Sequence, residues 1–134
     1  MARYTRRVEV DRARDARSSE QRFAGVVLCG GKSTRMGTSK ALLPFGSETM
    51  LQRVVRLLSG VVTPIVVVAA VGQELPPLPA EVLVTRDEHE GRGPLEGLRA
   101  ALKALPAGVD GAYVTSCDVP LLVPGFVQQM LELA

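Results

Sequence analysis

Glycine and fixed positive charge are packed together in residues 28–44, which read Leu-Cys-Gly-Gly-Lys-Ser-Thr-Arg-Met-Gly-Thr-Ser-Lys-Ala-Leu-Leu-Pro. The apolar run Ala24 to Leu28 directly precedes them. A buried strand that opens into glycine and cationic side chains is how α/β proteins hold polyphosphates. Gly30, Gly31 and Gly37 let main-chain N–H groups approach phosphate oxygens where a Cβ would obstruct them, and Lys32, Arg35 and Lys40 supply counter-charge. The chemistry this spacing supports is capture of a nucleotide. Farther along, Asp118 follows a second apolar run, and a carboxylate at a strand end facing phosphates can hold Mg2+ while phosphate oxygens and water complete the octahedron.

Two common phosphate-binding patterns fail on spacing. The G-x-x-x-x-G-K-[ST] loop would need glycine at position 26, which is Val26; Gly25 is one place off and sits within the expected strand. The G-x-G-x-x-G dinucleotide fingerprint fails because the glycines fall at 30, 31 and 37.

The stretch Leu28-Cys29-Gly30-Gly31-Lys32-Ser33-Thr34-Arg35-Met36-Gly37-Thr38-Ser39-Lys40-Ala41-Leu42-Leu43 resembles the signature L-[AC]-G-G-x-S-x-R-M-G-x-x-K-x-L-L of nucleotidyltransferases. Its double glycine is most similar to the molybdenum cofactor guanylyltransferase family, whose cytidylyl and sugar-nucleotide relatives more often carry Ala-Gly there. Two later segments agree with that resemblance. Gly91-Arg92-Gly93-Pro94-Leu95-Glu96-Gly97-Leu98 is similar to the family's G-P-L-x-G loop and helix start, and Ser116-Cys117-Asp118-Val119-Pro120-Leu121 to its C-D-x-P segment. The resemblance covers residues 23 to 134.

The resemblance implies transfer of GMP from GTP to molybdopterin, with release of pyrophosphate and with Mg2+ as cofactor. It implies that Arg35 and Lys40 hold the triphosphate, that Asp118 is the metal ligand, and that these three are the catalytic residues. It further implies nucleotide contacts from Leu28, Cys29, Gly30, Gly31, Lys40, Asp87 and Asp118. Lys32 falls at a variable position, and His89, flanked by Glu88 and Glu90, reads as a solvated loop residue rather than a base. A phosphate acceptor is already anionic and needs no strong base. The family has an asparagine at the end of its second strand, where Val68 or Ala69 stands here, so a CTP-dependent or sugar-phosphate transferase is a second reading. The family also continues well past its C-D-x-P helix, which makes a nucleotide-binding remnant without turnover a third.

Composition suits one domain. The chain has 134 residues, 46% hydrophobic and 22% charged, enough to bury a single sizeable core. Its longest apolar stretch, Val61 to Val71, is broken by Thr63 and Pro64 and falls short of the roughly 20 residues a membrane helix needs. No signal-peptide core follows the N-terminal arginines, so a cytoplasmic protein is expected. Cys29 and Cys117 have no C-x-x-C spacing and no histidine partners, which leaves them as small buried residues that end strands, close to the mouth of the site. The net charge of +2 is uneven. Residues 1–22 hold seven arginines against four acids and lack apolar periodicity, reading as a disordered basic arm. The mixed signs and the lone aromatic Tyr4 argue against nucleic-acid binding. Residues 23–134 form the nucleotidyltransferase-like domain.

The elements that must position these residues alternate between strand and helix. Ala24 to Leu28 and Ile65 to Ala70 are continuous apolar runs suited to central strands of a parallel sheet, with Glu81 to Thr85 and Ala112 to Ser116 as two more. Helices are expected over Ser47 to Gly60, with Ser47 as cap, from Pro94 to Leu105, and from Pro124 onward. Prolines 76, 77 and 79 enforce a loop. The pattern predicts a Rossmann-like three-layer α/β/α fold with a mainly parallel sheet, whose strand ends gather Gly30 to Lys40, Asp87 and Asp118 on one rim. The apolar Met130-Leu131-Glu132-Leu133-Ala134 end calls for cover from further chain or from a second copy in a homo-oligomer.

Overall fold

The computed structural model describes residues 21–30, 40–87, 94–119 and 121–134. Four parallel strands form the main sheet: β1 (Phe23–Leu28), β4 (Ile65–Ala70), β5 (Leu83–Asp87) and β6 (Gly111–Ser116), in the order β5-β4-β1-β6. Pro44–Phe45 (β2) and Glu48–Thr49 (β3) make a two-stranded antiparallel hairpin outside it. Helices α1 (Met50–Ser59), α2 (Pro94–Ala104) and α3 (Pro124–Glu132) flank the sheet.

Strand alternation distributes the core between two layers. Val27 of β1 and Cys29 just past its end, with Ile65 and Val67 of β4, pack against Leu51, Val54, Val55 and Leu58 of α1 and Val127 of α3. Val26, Val66 and Val68 point to the opposite face, where Ala101 of α2 meets them. The three-layer α/β/α architecture expected from the sequence is the one observed. All six residues of β4 are buried, as a strand covered on both faces requires.

The glycine inside β1 has a packing cause. A Cβ on Gly25 would stand 2.6 Å from Leu58 Cδ2 and 3.0 Å from Val62 Cγ2, so its absence is what lets α1 lie close to the sheet.

Two boundaries differ from the sequence reading. Helix α1 starts at Met50, capped by Thr49 rather than Ser47, because residues 44–49 are taken by the β2–β3 hairpin. Thr49 Oγ1 accepts from the Gln52 N–H at 3.1 Å while Gln52 Oε1 accepts from the Thr49 N–H at 2.9 Å, a reciprocal capping box. Strand β5 runs Leu83–Asp87 instead of 81–85, since a turn closed by the Val82 N–H to the Pro79 carbonyl at 3.1 Å occupies the preceding residues. Asp87 therefore ends a strand rather than sitting in the loop after it.

The connection from β4 to β5 is parallel yet contains no helix. Its proline-rich chain lies over the α1 side of the sheet, with Leu75, Leu78 and Val82 packed on that core and the Pro77 carbonyl accepting from Gln52 Nε2 at 2.9 Å. Among the described residues, no helix is long and apolar enough to cross a membrane.

Candidate nucleotide-binding site

Because all four strands of the main sheet are parallel, Gly30, Ala70, Asp87 and Asp118 follow or end their strands on one rim. The chain steps outward from β1 through β4 to β5 and then returns to the other side of β1 to form β6. Strand order thus reverses between β1 and β6, the place where open α/β sheets leave a crevice for ligands. Gly30 and Asp118 flank that crevice.

Beneath it, Leu28 and Cys29 are committed to the core. The Leu28 side chain packs on the α2 layer and its carbonyl accepts from the Cys117 N–H at 3.2 Å, whereas the Cys29 N–H donates to the Val68 carbonyl at 2.8 Å. Cys29 and Cys117 are both buried and share the α1-side core, one register step beyond the Leu28–Ser116 pair. Hydrogen bonding with Cys117, reinforced by burial, pushes the Cys29 thiol well above its ordinary value. Both cysteines are buried packing groups beneath the rim. Gly30, by contrast, is exposed at the rim.

Asp118 is exposed and accepts a hydrogen bond from Ser116 Oγ at 2.5 Å, which holds the carboxylate at the end of β6. Asp87 lies at the far side, on β5. Three strand spacings separate β5 from β6, about 14 Å. The two aspartates lie on opposite sides of Gly30 along the rim and do not make a carboxylate pair. Next to Asp87, a groove of about 350 Å³ between β5 and α2 has mixed charge, with Arg86, Arg99 and Lys103 set against Asp87 and Glu96.

Lys40 opens a 3-10 turn, Lys40–Leu42, that is anchored by the fully buried Ala41. Gly31, Lys32, Arg35 and Gly37 lie outside the described residues, as do His89, Gly91, Arg92, Gly93 and Pro120.

The sequence reading missed a hydrogen-bonded brace on this rim. Gln73 Nε2 donates to the Cys29 carbonyl at 3.0 Å while its Oε1 accepts from the Ala70 N–H at 2.9 Å. Arg86 donates through Nη1 to the carbonyls of Gln73 at 2.6 Å and Ala70 at 3.0 Å. The signal available in the sequence was Gly72, whose φ of 77° permits the turn from Ala70 to Gln73.

As to metal, the described residues hold no cluster of three or more His, Cys, Asp or Glu side chains able to cage an ion. One carboxylate at the rim, oriented by a hydroxyl, is a donor set that would suit an ion sharing its shell with substrate phosphates and water. The residues fit Mg2+ in that role.

Comparison with known proteins bears on the family and the fold. The model of the MobA-like NTP transferase domain matches residues 25–134. The chain belongs to this nucleotidyltransferase family. A probable molybdenum cofactor guanylyltransferase of Mycobacterium avium is 43% identical over 123 residues, which is 87% of this chain and 60% of that protein. The chain thus spans less than two thirds of that curated relative's length. Among solved structures, Rv0371C in complex with manganese, from Mycobacterium tuberculosis H37Rv, superposes with a TM-score of 0.60 at 21% identity, covering 84% of this chain and 59% of that one. CMP:2-keto-3-deoxy-manno-octonic acid synthetase complexed with CTP gives a TM-score of 0.64 at 18% identity, covering 84% and 46%. Both structures share the fold of the family member described here.

Proposed function

We propose that this chain provides the nucleotide-binding site of a transferase that moves GMP from GTP to molybdopterin. In that reaction a phosphate oxygen of molybdopterin forms a bond to the α-phosphorus of GTP, the bond from that phosphorus to the β-phosphate bridging oxygen breaks, and pyrophosphate leaves. The single observation that carries the reading is the placement of Gly30 and Asp118 on either side of the point where strand order reverses. The curated relative's name supports the choice of GTP and molybdopterin.

Each residue has a task within this proposal. Gly30 and Gly31 bring main-chain N–H groups to the phosphates, and Arg35 and Lys40 add fixed positive charge along the triphosphate. Asp87, at the opposite end of the rim, contacts the nucleoside portion. Asp118, steadied by Ser116, holds Mg2+. When bound, Mg2+ supplies positive charge that neutralises the departing pyrophosphate. The protein's own contribution is to hold the α-phosphorus in line with the acceptor.

A second reading, CTP in place of GTP, is favoured by one observation. Val68, Ala69 and Ala70 end β4 as buried apolar residues, so that strand end offers no side-chain amide to a guanine edge. Titration calorimetry of the chain with GTP and with CTP, each with Mg2+, tests both. Tighter GTP binding, followed by pyrophosphate release on adding molybdopterin, is the expected result. Preference for CTP would overturn guanylyl transfer, and binding of neither nucleotide would overturn the site.

A further inference from the structure

We infer that Gln73 is a positioning residue for the nucleotide, acting through the Cys29–Gly30 main chain; the inference rests on the nucleotide site proposed above. The Cys29–Gly30 peptide is where β1 ends and the rim turn begins, and its carbonyl receives the Gln73 amide from 44 residues away at 3.0 Å. The other end of the same amide takes the Ala70 N–H at 2.9 Å. One planar group therefore ties together the ends of β1 and β4 after their ladder has run out.

Gly30 benefits directly from this tie. It lies against the end of β4, where a Cβ on Gly30 would stand 3.5 Å from the Ala70 nitrogen and 3.8 Å from the Ala69 carbonyl carbon. Fixing the Cys29 carbonyl fixes the peptide plane that also carries the Gly30 N–H, and so the direction in which that donor points. Preorganised donors bind anions without a reorganisation cost at the moment of binding.

Gln73 is itself held from behind. Arg86 Nη1 reaches its carbonyl at 2.6 Å and the Ala70 carbonyl at 3.0 Å, and Arg86 immediately precedes Asp87. The brace thus runs from β1 through β4 to β5 and links the Gly30 side of the rim to the Asp87 side. With both its ends engaged by main chain, the Gln73 amide is built to orient backbone rather than to read a base.

The test uses the full chain with Gln73→Ala and Gln73→Glu. Calorimetry with GTP–Mg2+ and CTP–Mg2+ is run at a temperature where circular dichroism shows every protein folded. Wild type is expected to bind, and Gln73→Ala to bind about tenfold more weakly, the scale of one lost orienting hydrogen bond. The glutamate variant can still accept from Ala70, but when ionised it cannot donate to Cys29; protonated, it can. Its affinity relative to wild type should be low at pH 8 and rise as the pH is lowered towards the ordinary glutamate range, about 4.3. A purely architectural brace would lower the melting temperature and leave the affinity of folded protein, and that pH profile, unmoved. Wild-type affinity in both variants with a flat ratio across pH would overturn the inference while leaving the nucleotide site standing. Should Gln73→Ala not fold, the pH profile of Gln73→Glu decides alone. If wild type binds neither nucleotide, the site itself falls, and this inference falls with it.

Discussion

Gly25 and Leu58 meet where helix α1 lies closest to the sheet: a Cβ at residue 25 would stand only 2.6 Å from Leu58 Cδ2. Leu58 is fully buried, so its side chain has nowhere to retreat. Gly25→Ala should destabilise the protein by about 1–3 kcal/mol, the usual cost of overpacking a tight core. Urea denaturation measures it, and Gly25→Ala combined with Leu58→Ala should lose less than the sum of the two single changes. Simple additivity would mean that the contact is not what excludes the methyl.

Helix α1 depends on its first turn. The reciprocal bonds between Thr49 and Gln52 satisfy N–H groups that a helix start otherwise leaves open. Thr49→Ala should cost about 0.5–2 kcal/mol, and Ser47→Ala close to nothing, in the same denaturation experiment. The reverse ranking would return the cap to Ser47.

Glu48 shows how acid should act on the hairpin. Arg56 grips its carboxylate through two bonds, Nε at 3.2 Å and Nη2 at 2.8 Å, with Arg53 Nη1 3.6 Å away, and the Arg56 hydrogen bond holds the Glu48 carboxyl below its ordinary value. A carboxyl lowered in the folded state contributes stability above its unfolded value and loses it as pH falls through the folded one. Wild type and Glu48→Gln should therefore differ in melting temperature near neutrality and converge in acid. The difference should be small, because the pair is largely at the surface. A gap that widened on acidification would contradict the pairing.

For the cysteines the sign is opposite. Cys29 is raised above its ordinary 9.0, so it stays neutral at physiological pH and its contribution is lost only as pH rises beyond that value. Folded protein should react with a thiol-specific disulfide reagent far more slowly than protein in urea, and stability should decline on the alkaline side. Rapid labelling of the folded chain at pH 7 would rule out this buried pair.

Asp118 separates binding from folding. Asp118→Asn should leave the unfolding free energy from urea denaturation within about 0.5 kcal/mol of wild type, as exposed substitutions usually do, while weakening Mg2+-dependent GTP binding by tenfold or more. Ser116→Ala should have a smaller effect in the same direction, since it removes only the group that steadies the carboxylate. Unchanged metal dependence in Asp118→Asn would remove the metal assignment.

How far the sequence reached depended on the kind of signal. Strands β1 and β4 were readable because a strand buried on both faces must be continuously apolar, and both are. The rim position of Asp118 followed from the parallel arrangement, which puts the carboxyl ends of all the strands on one side. The start of α1 was misjudged because Ser47 is a good cap by type, whereas the Gly46 turn, with φ of 66°, diverts the chain into a hairpin first; the Thr49-x-x-Gln52 box was there to be read. The Gln73 brace was beyond reach. Gly72 marks the turn that carries Gln73, but the brace joins a side chain to main chain that only the finished sheet brings together, and no periodicity or spacing encodes that meeting.

The position of β1 has a consequence for how the molecule comes into being. Both of its neighbours, β4 and β6, are made after it, and its foot is tied down by the Arg22 N–H donating to Asp110, 88 residues farther on, at 2.8 Å. Early local structure, such as α1, has nothing complete to settle on until that late strand arrives. Formation of the sheet is thus governed by distant encounters, and this chain is expected to fold more slowly than a helical protein of its size.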